Sequence, residues 1–290
     1  MNSLQGLGVA LVTPFDAHSN IDFNALLKLL KHTANNGVDY WVVMGSTGEA
    51  ITLTDKEQEE VLQFVLQNNP SEIPIVFGLG GSNTAALLNR LTSLDLNGVV
   101  AILSSSPAYN KPTQEGIIAH FTKVADNSPL PIILYNVPGR TCSNMEASTT
   151  IKLSKHSNII GIKEASGDLA QIAEIIKGST SDFICLSGDD MQTPDITAIG
   201  GKGVISVLAN ALPKQFKTLT SFAINGDIKG SKQQANQLQP INDLMYKEGN
   251  PAGIKQLLTQ QGICDNYLRL PLLPATEKLQ LAIKNAYSQL

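Results

Sequence analysis

Eight short apolar runs, separated by amphipathic stretches, constrain the fold of this chain more than any other feature. They occupy residues 7–13, 39–44, 73–78, 98–103, 131–136, 159–163, 183–187 and 203–208. Each is rich in aliphatic residues and bounded by Gly, Pro, Asn or Ser. Near-continuous apolar runs of this length read as strands of a parallel sheet covered on both faces. Helical patterns lie between them. In 22–36, Phe23, Leu26, Leu27, Leu30 and Ala34 fall on one side, Lys28, Lys31 and Asn35 on the other, and Gly37 follows as a stop. Thr54 stands three residues before Glu57 and ahead of Val61, Leu62 and Val65, a capping-box signature. Eight strand–helix units within one chain predict an α/β protein built as a closed (β/α)8 TIM barrel. A doubly wound open sheet is the competing architecture. Its usual glycine fingerprint is missing, because Gly78-Leu79-Gly80-Gly81-Ser82-Asn83 lacks the last glycine and follows the third strand, not the first.

The strand rhythm stops after Gly226. Segments 229–247, 252–261 and 276–289 read as three helices, punctuated by Pro240, Pro251, Pro271 and Pro274. The expected organisation is therefore a catalytic barrel, residues 1–226, and a C-terminal helical extension, residues 227–290, packed on the barrel or serving an oligomer contact. The length, 290 residues, suits a barrel of roughly 250 residues with an addition.

Charge excludes several classes of function. Lys and Arg number 21 against 25 Asp and Glu, so nothing draws the chain to nucleic acid or to an anionic membrane. There is no run of 18 apolar residues to span a bilayer. The start, MNSLQGLGVALVTPF, has no basic leader, so no signal peptide is expected. Cys142, Cys185 and Cys264 are scattered and odd in number, which suits a reducing cytoplasm better than a disulfide framework.

In such a barrel the chemistry lies at the C-terminal ends of the strands. One end reads Ile159-Ile160-Gly161-Ile162-Lys163-Glu164. A lysine closing an apolar run is anomalous, since lysine is rarely buried without a partner. It either reaches solvent along its stem or points into the barrel. Strand parity groups Ile159, Gly161 and Lys163 on one face, with Gly161 leaving room beneath the amine. Desolvation in such a throat disfavours the charged form of an amine, and a neutral amine attacks a carbonyl to form a Schiff base. The preceding strand ends in Tyr135, either a core tyrosine or a phenol able to pass protons beside Lys163. Further hydroxyls fall at other strand ends: Ser46 and Thr47 in Gly45-Ser46-Thr47-Gly48-Glu49, and Tyr109 after the fourth strand. Gly45 and Gly48 are expected to let that loop turn tightly, so that its hydroxyls and N–H groups could bind a carboxylate; an ordinary loop cap is the alternative. Arg140, just past Tyr135, carries the forked donor set that binds carboxylates.

Other chemistries have less support. His18, His32, His120 and His156 are far apart, without metal-ligand spacing, and read as solvated surface residues. No metal site is expected. Neither a Gly-x-Ser-x-Gly elbow nor a Walker-type loop occurs. Ser187-Gly188-Asp189-Asp190 and Gly200-Gly201-Lys202-Gly203 read as the loops where barrels often hold phosphate, but the two aspartates oppose that use.

These segments, with Val12-Thr13-Pro14-Phe15, Tyr109-Asn110-Lys111-Pro112-Thr113, Asn136-Val137-Pro138-Gly139-Arg140-Thr141 and Gly203-Val204-Ile205-Ser206-Val207, resemble the dihydrodipicolinate synthase family. That family comprises class I aldolase-type lyases of diaminopimelate and lysine biosynthesis. It lies within the pyruvate-aldolase superfamily that includes N-acetylneuraminate lyase. The resemblance covers nearly the whole chain. It implies that Lys163 condenses with pyruvate and that Tyr135 shuttles protons. Ser46 and Tyr109 complete the relay, Tyr109 reaching in from a neighbouring subunit. Thr47 and the Ile205 backbone contact pyruvate, Arg140 anchors the carboxylate of L-aspartate 4-semialdehyde, and Gly188 lines the pocket. No cofactor is implied, and a homo-oligomer, at least a dimer and commonly a tetramer, is. A role for Asn250, near the site in relatives, is not implied.

Two departures stand out. Ser46 replaces the threonine of many members and keeps the hydroxyl. Ala108, Asp55, Gln58 and Ala86 replace the tyrosine, two histidines and glutamate that regulated members use to bind L-lysine, so feedback inhibition is expected to be weak or absent. Two rivals remain: another Schiff-base pyruvate aldolase, such as a sialic-acid lyase or a keto-sugar-acid aldolase, against which Arg140 argues, and a catalytically silent ligand-binding barrel, against which the intact Lys163, Tyr135 and Arg140 argue.

Overall fold

The computed structural model describes residues 4–290; residues 1–3, where the expected barrel unit begins, lie outside the described residues. Eight parallel strands close in sequential order: β1 (Gly6–Ala10), β2 (Tyr40–Val43), β3 (Ile75–Gly78), β4 (Val99–Ser105), β5 (Ile132–Asn136), β6 (Ile159–Glu164), β7 (Ile184–Ser187) and β8 (Gly203–Ser206), with β8 pairing back onto β1. Every predicted run overlaps one of them, and the strand boundaries differ from the runs by a few residues. The helices of the barrel are α1 (Phe23–Asn35), α2 (Asp55–Gln67), α3 (Thr84–Ser93), α4 (Gln114–Asn127), α5 (Pro138–Thr141), α6 (Ala147–Leu153), α7 (Leu169–Gly178), α8 (Thr193–Ala198) and α9 (Pro213–Ile224). Then follow α10 (Ile228–Tyr246), α11 (Ala252–Gln260) and α12 (Glu277–Tyr287). The fold is a TIM barrel with C-terminal helices.

The local signals act as predicted. The Asp22 side chain accepts from the Ala25 N–H at the start of α1. The Thr54–Glu57 capping box opens α2 in both directions. Pro240 lies inside α10, as the predicted helix over 229–247 requires, and does not end it. Both Pro240 and Asn236, whose carbonyl loses its helical donor, are on the exposed face, where water can satisfy that carbonyl.

Two apolar layers hold the barrel. The inner one contains Tyr40, Val42, Val76, Leu103, Ile133, Tyr135, Ile184, Leu186 and Ile205; the outer one joins the strands to the helices through residues such as Trp41, Phe77, Leu134, Ile162 and Phe216. Tyr40 fills the space opposite Gly8, where a Cβ would lie 2.2 Å from the tyrosine ring.

Strand β6 corrects the simple parity expectation. Ile132 pairs with Ile159, but Ile133 pairs with Gly161, so Ile160 is an extra residue in the ladder. Ile159 therefore belongs to the outer layer and Ile160 to the inner one. Gly161 and Lys163 keep their shared face beyond the irregularity. The room at Gly161 is taken by β7: a Cβ there would lie 2.5 Å from the Ile184 carbonyl oxygen.

Of the last three helices, α10 packs on α8 and α9, α11 packs near the segment after β8, and α12 packs on α10 and α11. Gln261 donates to the Ala211 carbonyl at 2.9 Å, and Lys255 pairs with Glu49 after β2. Among the described residues, no helix is long and apolar enough to cross a membrane.

Candidate active site

At the C-terminal end of the barrel a cavity of about 510 Å³ opens among the strand ends. That volume lies in the range of small-molecule sites. Lys163, Tyr135, Ser46 and Arg140 all line it, with Ser105, Gln58, Ile51 and Val137.

Lys163 and Tyr135 are direct register partners on β6 and β5. The Lys163 side chain is 4 % exposed, and its Nζ lies 4.6 Å from the centre of the Tyr135 ring. None of the ion pairs among the described residues includes Lys163. The site thus presents a buried amine, free of a carboxylate clamp, beside a phenol at the wall of a cavity.

The next residue on each strand faces the opposite way and joins the two strand ends. Asn136 donates to both oxygens of Glu164 at 3.1 Å and accepts from the Met145 N–H. Glu164 also accepts from the Ser166 N–H at 2.8 Å. Burial raises the Glu164 pKa, against the pull of those donors. This lock fixes the register that sets Tyr135 opposite Lys163.

The loop after β2 places Ser46 and Thr47, and its glycines act differently from expectation. Gly45 is extended, at φ −71°. The left-handed residues are Met44 at φ 61° and Glu49 at φ 54°. Gly48 instead permits close packing, since a Cβ there would lie 3.1 Å from the Leu11 carbonyl oxygen. Ser46 is exposed to the cavity, whereas Thr47 is buried and accepts from Asn250 Nδ2 at 2.9 Å.

Arg140 sits on the short helix α5 and is exposed at the mouth; its guanidinium reaches the Asn250 carbonyl at 3.4 Å. Asn250, which sequence reasoning left without a role, thus bridges Thr47 and Arg140.

The remaining predicted residues are not on the cavity wall. Thr47 and Ile205 are buried behind it, Ile205 in the inner layer. Tyr109 is 93 % exposed with φ 72°, tied through its N–H to the Thr141 carbonyl at 3.4 Å. Gly188 does not line the cavity within the single chain. A Cβ there would lie 2.6 Å from Ala165 Cβ and 2.9 Å from the Glu164 carbonyl oxygen, so the glycine allows β6 and β7 to close together.

Three further readings are corrected. His120 is buried, not solvated; it shares a 2.9 Å hydrogen bond with Thr84, and burial lowers its pKa. Residues 200–202 precede β8, so that glycine-rich loop feeds the opposite end of the barrel from the cavity. Asp190 turns inward: its carboxylate accepts the N–H groups of Val207 and Leu208 at 3.2 and 2.7 Å, bracing the segment after β8. Burial pushes its pKa up to about 6, opposed by the Leu208 N–H.

Sequence reasoning missed Glu49 and Lys255. The signal for Lys255 is weaker than that for Lys163: Lys255 and Gln256 stand together between Ile254 and Leu257, as on an ordinary helix, and only the fold buries the whole of Ala252–Leu258.

The chain matches the dihydrodipicolinate synthetase family model over residues 3–290. It is 42% identical over 287 residues to a 4-hydroxy-tetrahydrodipicolinate synthase of Cytophaga hutchinsonii, covering 99% of this chain and 97% of the relative. It is 45% identical over 284 residues to the synthase of Azobacteroides pseudotrichonymphae, covering 98% and 96%. The dihydrodipicolinate synthase structure of Thermotoga maritima superposes with a TM-score of 0.95 at 34% identity, covering 98% of each chain. With this agreement in sequence and fold, the chain belongs to the dihydrodipicolinate synthetase family.

Proposed function

We propose that the chain is a lyase that condenses pyruvate with L-aspartate 4-semialdehyde to give 4-hydroxy-tetrahydrodipicolinate. The observation that carries this reading is the buried Lys163 amine 4.6 Å from the Tyr135 ring at one cavity. The neutral amine adds to the ketone of pyruvate, and Tyr135 passes the protons that let water leave. The resulting iminium withdraws electrons, so the methyl group loses a proton to give an enamine. The enamine carbon attacks the aldehyde of the semialdehyde. The substrate's own amino group then displaces Lys163 by transimination, closing the ring and releasing the lysine.

In this reading Ser46 and Tyr109 complete the proton relay, with Tyr109 supplied by a second subunit; its near-complete exposure in the single chain supports an assembly of at least two copies. Thr47 and the Ile205 backbone hold the pyruvate carboxylate and keto acid, Gly188 lies beside them, and Arg140 anchors the carboxylate of the second substrate. A cytoplasmic location, the division into a barrel of residues 1–226 and an extension of residues 227–290, and weak or absent inhibition by L-lysine belong to the same proposal. Asp55, Gln58 and Ala86 line one cleft beside α3, where Arg90 is already committed to Asp55 and Glu59. Strong inhibition by sub-millimolar L-lysine would contradict that part.

The test is turnover of pyruvate with the semialdehyde, compared with turnover of N-acetylneuraminate. Activity on the sugar acid alone would reverse the assignment. Arg140→Ala is expected to raise KM for the semialdehyde by roughly tenfold or more, with little change for pyruvate. Equal losses for both substrates would mean that Arg140 shapes the site and does not clamp one substrate.

A further inference from the structure

Lys255 lies on α11 and Glu49 in the loop after β2, 206 positions apart, and both side chains are wholly buried. Their contact is 2.5 Å. The other valences of the pair are filled. Lys255 Nζ donates to the Tyr267 carbonyl at 2.9 Å and lies 4.2 Å from the centre of the Phe15 ring. The second Glu49 oxygen accepts the Arg269 N–H at 3.1 Å. Burial lowers the Lys255 pKa, against the pull of Glu49 toward the charged form.

A buried ion pair is a poor fastener, because desolvation offsets most of its attraction; two apolar side chains would attach the extension as well. What the pair adds is direction. Glu49 is held at φ 54°, a left-handed conformation that a side chain disfavours and that persists only where surroundings over-determine it. Its backbone N–H donates to the Ser46 carbonyl at 3.2 Å, and its carbonyl accepts from Thr52 at 2.8 Å. Asn250, five residues before Lys255, reaches the adjacent Thr47 hydroxyl.

We propose that Glu49 and Lys255 are positioning residues for substrate binding: through them the C-terminal extension sets the loop that carries Ser46 on the cavity wall and Thr47 just behind it. The inference rests on the reading of that loop as the pyruvate carboxylate site.

The test is the pyruvate concentration that gives half-maximal borohydride trapping on Lys163, with steady-state kinetics alongside. Lys255→Met alone leaves a buried carboxylate unpaired, so the informative variant is the pair Glu49→Gln with Lys255→Met, which removes both charges. The expected result is a folded protein whose half-saturation and pyruvate KM both rise roughly tenfold or more, with kcat at saturating pyruvate nearly unchanged. Glu49→Asp keeps both charges and shortens the reach by one methylene; a rise of roughly threefold is expected, and this variant decides the matter if the paired one does not fold. Unchanged half-saturation in a folded paired variant, or in Glu49→Asp, overturns the proposal and leaves the pair as a packing feature. Wild-type protein that pyruvate and borohydride do not label would defeat the Schiff-base reading instead, so the two failures are distinct.

Discussion

Lys163 and Lys255 make an instructive pair. Their exposures are 4 % and 0 %, and each nitrogen lies over an aromatic ring, that of Tyr135 in one case and Phe15 in the other. One has no ion-pair partner and borders a cavity; the other is saturated by Glu49 and the Tyr267 carbonyl and borders nothing open. In the proposed reading, then, burial alone does not make a lysine reactive. A carboxylate at hydrogen-bond distance stabilises the ammonium and occupies the space that a carbonyl carbon needs. An aromatic face with a cavity beside it leaves the nitrogen free to add to a substrate.

This contrast can be broken experimentally. Lys163→Ala is expected to lower kcat by at least roughly 10⁴-fold while leaving the unfolding midpoint close to that of wild type. Retained turnover would put the two lysines in the same class. Lys255→Met is expected to act first on stability, by about 3–5 kcal/mol in denaturant unfolding, because the buried Glu49 side chain loses its ion-pair partner. A stability loss well below that range would mean that the site relaxes readily around the lost pair.

Asp190 sharpens the comparison from the acidic side, since it is buried like Glu49 but joins none of the ion pairs among the described residues. Its pKa is raised to about 6 in the folded protein, so the folded state holds this proton more tightly than the unfolded chain does. Ionisation therefore costs stability. The cost is absent below about pH 4, grows as pH rises through 6, and is complete above it, on the order of 3 kcal/mol. Asp190→Asn should flatten that part of the stability–pH curve; an unchanged slope between pH 4 and 7 would assign it to other groups.

The barrel was legible because each strand is a run of apolar residues long enough for two covered faces, and the caps at Asp22 and Thr54 are local chemistry. Lys163 and Tyr135 were legible because a polar residue at the end of such a run has few places to go. The insertion at Ile160 was not, because it is a property of pairing between β5 and β6 and not of β6 alone. Glu49 was hidden for a related reason. In sequence it is an ordinary acidic residue at the end of a glycine-rich loop, and its partner is 206 positions away. Asn250 and Arg140 likewise meet only because the extension folds back over the strand ends.

Which nitrogen pyruvate captures decides between these lysines most directly. Incubation with pyruvate and borohydride, followed by peptide mass mapping, is expected to add the reduced keto acid to Lys163 and to leave Lys255 unmodified. Labelling of any other lysine, or none in a folded and active preparation, would contradict it.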